Sequence, residues 1–111
     1  MKTYTKNPMD YYNDVMKVID EKTKNSLPLT YYDFFQYIDS GISCLTNGCN
    51  GKTHQENFFK KFPQFDLEKI TLIMEEHGGY CDCEIMMNVV FGDEDFSKEL
   101  QTKKLPIKDM K

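Results

Sequence analysis

The segment Gly78-Gly79-Tyr80-Cys81-Asp82-Cys83-Glu84 carries the densest chemistry in the chain: two thiols and two carboxylates within four residues, directly after a double glycine. Two further thiols stand upstream, at Cys44 and Cys49. Thiolates hold Zn²⁺ in tetrahedral sites, and structural sites of this kind take four ligands from Cys and His. Cys44, Cys49, Cys81 and Cys83 make such a set, with His54 and His77 as substitutes where one cysteine is not used. An upstream pair followed by a downstream pair is the order of many zinc sites. The spacing is less favourable. Four residues separate Cys44 from Cys49, the long edge of the usual range, and the single residue between Cys81 and Cys83 falls outside it. In an extended strand, residues two apart lie roughly 6 to 7 Å apart on one face. Both Cys81 and Cys83 could therefore reach one ion only if the backbone turns near Asp82.

Other chemistry is open to the same residues. Free cysteine is among the most buried residue types and behaves as a small hydrophobe, and Ile85, Met87 and Val89 are suitable company for Cys81 and Cys83. A redox role is weaker, because extended neighbours two apart do not bring β-carbons to the roughly 3.8 Å a disulfide wants. Nor do Asp82 and Glu84 supply the positive charge that activates a thiolate. A thiol- or metal-dependent enzyme would use the Cys81-Asp82-Cys83-Glu84 segment with a histidine, the carboxylates acting as acid–base groups or hard-metal ligands. The plain alternative makes Asp82 and Glu84 the solvated face of a half-buried strand. No phosphate-binding glycine loop, zinc-protease motif or nucleophile elbow occurs.

Composition narrows the field. At 111 residues the chain is expected to form one domain, long enough to bury a core without metal or disulfides. The net charge is −4, and all 14 basic residues are lysine. An acidic chain without arginine argues against nucleic-acid binding. The start of the chain has no apolar run of the kind that marks a signal peptide, and no apolar stretch reaches membrane-spanning length. Cysteines in such a chain are expected to stay reduced or bind metal, in the cytoplasm.

The elements that must position these groups follow from periodicity and caps. Asn7-Pro8 reads as a helix start, with Tyr12, Val15, Met16 and Ile19 recurring at helical spacing. Thr30 opens a second helix, with Asp33 in a weaker form of the capping box. Tyr31, Tyr32, Phe34, Phe35, Tyr37 and Ile38 make it apolar around most of its circumference, so it is either core or a docking surface. Gly41 is a plausible stop, Ile42 to Leu45 a short strand, and 42–52 a loop. Thr53 with Glu56 predicts a third helix ending at Pro63, and Asp66 caps a fourth whose apolar face is Leu67, Ile70, Ile73 and Met74. His77 and Gly78 suit its end. Residues 80–91 alternate like a strand, thiols on the more apolar face and carboxylates on the other. A short helix over 96–100 and a mobile Lys-rich tail over 101–111 complete the chain. The expected fold is α+β: a mostly helical single domain, residues 1–100, with one main C-terminal strand in a small sheet.

The block Gly78-Gly79-Tyr80-Cys81-Asp82-Cys83-Glu84-Ile85, followed by Asn88-Val89, resembles a family of small uncharacterised bacterial proteins, a domain of unknown function with a Gly-Gly-x-Cys-Asp-Cys-Glu signature. The helix before it, and an upstream cysteine followed by a Thr-containing helix start at Cys49 and Thr53, are also similar. The resemblance covers about residues 44–90 and implies no activity, substrate or cofactor. The reading is a small intracellular, non-enzymatic binding or interaction module of unknown function, with a cysteine cluster that could hold structural zinc or no cofactor at all. The alternative is the enzyme described above. A protein partner, or a second copy of the chain, would dock on the Tyr31–Ile38 helix or on strand 80–91.

Overall fold

The computed structural model describes residues 8–45 and 51–108. In chain order they form α1 (Pro8–Lys24), α2 (Tyr31–Leu45), α3 (Thr53–Lys61), α4 (Leu67–Glu76), α5 (Asp82–Glu84), a π-helix (Ile85–Val90) and α6 (Glu94–Gln101). There is no strand among these residues. The expected α+β class is thus corrected to all-helical.

The strand over 80–91 fails for a reason visible in burial. Asp82, Ile85, Met86 and Val89 are the buried residues of the segment, while Met87 and Phe91 are exposed. That is the three-and-four spacing of a helical face, not alternation. An apolar run as short as Ile85–Val90 fits either period, and the tie is broken by its anchored start at Asp82, described below. The second local error lies in α2, which passes through Gly41 and continues to Leu45. Gly41 does not stop the helix; it makes room for a side chain from α3. Ile42–Leu45 is the last turn of α2 rather than a short strand. Residues 46–50 of the expected loop lie outside the described residues.

Helix α2 is the hub, in contact with α1, α3, α5, the π-helix and α6. Its start is fixed by the pair read from sequence. The Asp33 carboxylate accepts the Thr30 backbone N–H at 2.9 Å, and the Thr30 hydroxyl lies 3.4 Å from the Asp33 backbone nitrogen. This is a capping box with Asp in the role of Glu. Lys22 of α1 reaches the same buried carboxylate at 2.9 Å, which locks the α1–α2 corner. Tyr31, Phe34, Phe35, Tyr37 and Ile38 are all buried, leaving Tyr32 at the surface. Their rings meet those of α3: Phe58 lies 5.1 Å from Phe34 and 5.3 Å from Tyr37, and 5.0 Å from Phe62 just past the end of its own helix, centroid to centroid. Tilted and edge-on aromatic pairs of this kind each add about 0.5–1.5 kcal/mol beyond burial.

Helix α4 starts where Asp66 caps it, its carboxylate accepting the Lys69 N–H at 3.2 Å. It buries Ile70 and Met74 and ends at His77. Residues 103–108, read from sequence as part of a mobile tail, run back along the body. Lys103 and Leu105 bond the backbone of Tyr31 and Leu29, and Pro106 and Lys108 bond that of Asp66 and Gln64. Leu105 is buried. These are isolated antiparallel bridges, Thr30 with Lys104 and Phe65 with Ile107, rather than a sheet.

Candidate functional site

The chemistry-bearing segment begins with a turn that glycine permits. Gly78 has φ of +84°, a left-handed conformation costly for any residue with a β-carbon. Asn88 closes the turn from the far side, its amide donating to the Gly78 carbonyl at 2.8 Å. Gly79 lies so close to the π-helix that a β-carbon there would come within 2.9 Å of both Ile85 and Val89. The double glycine therefore lets the turn fold flat against the helix that follows.

Asp82 is the centre of what comes next. It is 1 % exposed. Its carboxylate accepts the backbone N–H of His54 at 2.8 Å and of Gln55 at 3.2 Å. Its own N–H donates to the Gly51 carbonyl at 2.8 Å. A helix start leaves N–H groups without intrahelical partners, and a negative charge there also meets the favourable end of the helix dipole. Helix α3 has no capping bond from its own cap residue, Lys52; the carboxylate arrives instead from a residue 28 positions later. The expected cap from Thr53 with Glu56 is replaced by this distant one. Both oxygens of Asp82 are engaged by backbone, which argues against the acid–base role considered for it.

The cysteines sit around this clamp as follows. Cys81 is the extended residue at the cap of α5, with φ −126° and ψ 172°, and the backbone turns helical from Asp82 onward. The backbone thus changes direction between the two thiols. Cys81 and Cys83 are both half-buried. Cys44 belongs to the last turn of α2, three residues beyond Gly41; its side chain, and Cys49 altogether, lie outside the described residues. Among the described residues no group of three or more His, Cys, Asp and Glu is arranged to hold a metal ion. Glu84 is half-buried beside them.

The two histidines part company. His77 ends α4, stacks on the Phe96 ring with centroids 3.6 Å apart, and has Nδ1 3.9 Å from the Asp93 carboxylate. His54 is 3 % exposed, with its ring laid over Gly41 of α2. Its Nε2 is buried with no hydrogen-bond partner among the described residues, and so is Nε2 of the neighbouring Gln55. Buried polar atoms of this kind are uncommon and ask for an explanation. Gln55 had no signal in the sequence; Gly41 had one, a glycine inside an apolar helix where a stop was the simpler reading.

Two buried tyrosines complete the electrostatics. Burial, then the hydrogen bond and proximity of Tyr12 at 3.4 Å, push the Tyr37 hydroxyl well above the ordinary tyrosine range. Burial, then the charge of Asp66, raises Tyr31 as well.

These features define a small all-helical domain, built around α2, in which a buried carboxylate joins the start of α3 to that of α5. A family model described as a protein of unknown function (DUF2695) matches residues 34–88. The matched stretch runs from Phe34 in α2 to Asn88 in the π-helix, so it contains the clamp, all four cysteines and both histidines. The match is a similarity over that stretch, and the family it points to has no assigned function. No curated protein and no solved structure matches the chain. Among the described residues no helix is long and apolar enough to cross a membrane.

Proposed function

We propose that the protein is a non-enzymatic intracellular interaction module whose thiols, Cys44, Cys49, Cys81 and Cys83, hold structural zinc, with His54 as a substitute ligand. One observation supports the reading above the others: Asp82 bonds to both sides of the α3 start, at Gly51 and at His54. Gly51 stands two residues after Cys49, and Asp82 stands between Cys81 and Cys83. Asp82, between the downstream thiols, is thereby tied to the chain two residues beyond Cys49. The backbone is helical from Asp82 onward, so the strand separation of roughly 6 to 7 Å does not apply to Cys81 and Cys83. A structural site would be closed and saturated by protein ligands, consistent with the absence of any sequence motif for catalysis.

Elemental analysis of protein purified without chelators or a His tag tests this, together with Cys49→Ser and Cys83→Ser. The expected result is about one zinc per chain, lost in both variants. Metal-free protein whose four thiols react only after unfolding would make the cysteines core residues and end the zinc reading.

A further inference from the structure

We infer that the cleft between α3 and α4 is a docking groove for a short basic segment of a partner protein that also carries apolar side chains. This deepens the interaction-module reading and rests on it, but not on zinc. The cleft has a volume of about 410 Å³ and is lined by Lys52, Gln55, Glu56, Glu68, Leu72 and Glu75, among others. Three properties of its lining point to the same ligand.

The first is an unmet donor. Gln55 is 3 % exposed, and its amide nitrogen has no hydrogen-bond partner among the described residues. A buried N–H₂ is satisfied by an acceptor such as a backbone carbonyl, and leaving it unmet is costly. The second is an apolar wall. Leu67 and Leu72 line the cleft at 44 % and 59 % exposure, a pair of large side chains that α4 leaves in water. The third is charge. Three carboxylates face one lysine, and that lysine is already paired, Lys52 with Glu75 at 3.3 Å.

A bare cation fits poorly, because the amide donor would repel it and the described residues hold no metal-ready group. A purely apolar ligand would leave the donor and Glu56 and Glu68 unanswered. A peptide supplies all three complements at once: a carbonyl for Gln55, an apolar side chain for the leucines and a cationic one for the glutamates. Complementary charge of this sort sets partner choice and approach rate more than raw affinity.

The test uses the full chain and a fluorescein-labelled hexapeptide of alternating lysine and leucine, followed by anisotropy and by amide chemical-shift mapping. A second peptide with glutamate in place of lysine is the control. The basic peptide should bind, shifting the amides of Thr71 and Leu72, and Glu68→Lys should weaken it by about tenfold. Gln55→Leu, checked for folding by circular dichroism, should weaken it as well; Glu68 is at the surface, so its variant reports even if Gln55→Leu fails to fold. Equal binding of the two peptides, no binding of either, or an affinity untouched by Glu68→Lys would overturn the proposal. The same preparation is assayed for metal. Metal-free protein that binds the basic peptide upholds the groove and removes the zinc, while zinc-loaded protein that ignores the peptide does the reverse.

Discussion

The imidazole of His54 occupies the space in which a side chain on Gly41 would begin: its Nδ1 lies 2.5 Å from the point where a β-carbon would stand. Two helices approach here at a distance that only glycine allows. Alanine in place of glycine inside a helix ordinarily stabilises by about 1 kcal/mol, so propensity and packing pull in opposite directions. Gly41→Ala should nonetheless destabilise by about 1–3 kcal/mol, because overpacking a buried contact dominates. Removing the ring should relieve the clash, giving a coupling of about 0.5–3 kcal/mol between Gly41→Ala and His54→Ala. Urea unfolding of the two single variants and the double variant measures it. Additive effects would show that the two residues do not compete for space.

The Asp82 clamp should be among the most sensitive positions in the chain. Asp82→Ala strands two backbone donors in a buried place and deletes a charged acceptor, an effect of about 2–4 kcal/mol. A surface helix cap is worth typically about 1 kcal/mol. Asp82→Asn keeps one acceptor oxygen and should fall between the two. Denaturant midpoints read the difference. A loss below about 0.5 kcal/mol for Asp82→Ala, no more than an ordinary surface substitution, would mean that the α3 start is satisfied by other means.

Alkaline stability should be set by Tyr37 and Tyr31. Both hydroxyls titrate above their usual range in the folded protein. The folded state therefore holds protons that the unfolded state releases near pH 10. Stability is fully present below that pH and falls as pH rises beyond it. Tyr37→Phe removes one titrating group, so the fall above pH 10 should become shallower. Circular dichroism melts across this range test the slope, and an unchanged slope would show that Tyr37 ionises without cost.

Leu105 gives a measure of how firmly residues 103–108 belong to the domain. A buried leucine cut to alanine costs about 2–5 kcal/mol, whereas the same change in a loose tail costs almost nothing. Leu105→Ala is expected in the first range by thermal melting.

Much of the helical architecture was legible because its signals are local. Pro8 at the start of α1, Thr30 with Asp33 before α2, and Asp66 before α4 each fix a boundary through groups within three residues of one another. What could not be read depends on contacts distant in sequence. The cap of α3 comes from Asp82, so the nearby Thr53 and Glu56 misled. Gly41 reads as a terminator until the His54 ring is seen against it. Residues 80–91 read as a strand because alternating thiols and carboxylates mimic period two, while the burial of Asp82, Ile85, Met86 and Val89 is decided by α2 and α3 packing over them. Pairing of 103–108 with 29–31 and 64–66 leaves no mark on the pattern of either partner.

That last pairing has a consequence for how the molecule is made. A chain emerges from the ribosome with its amino end leading. The corners around residues 29–31 and 64–66 receive part of their backbone bonding from 103–108. Until residue 108 has cleared the exit tunnel, both corners must wait in water. Helices α1 to α4 can form and collapse on the way out, but the latch that joins their turns closes only afterwards. A nascent chain of which residues up to about 102 have left the tunnel would thus be a helical intermediate whose corners are still open to proteases.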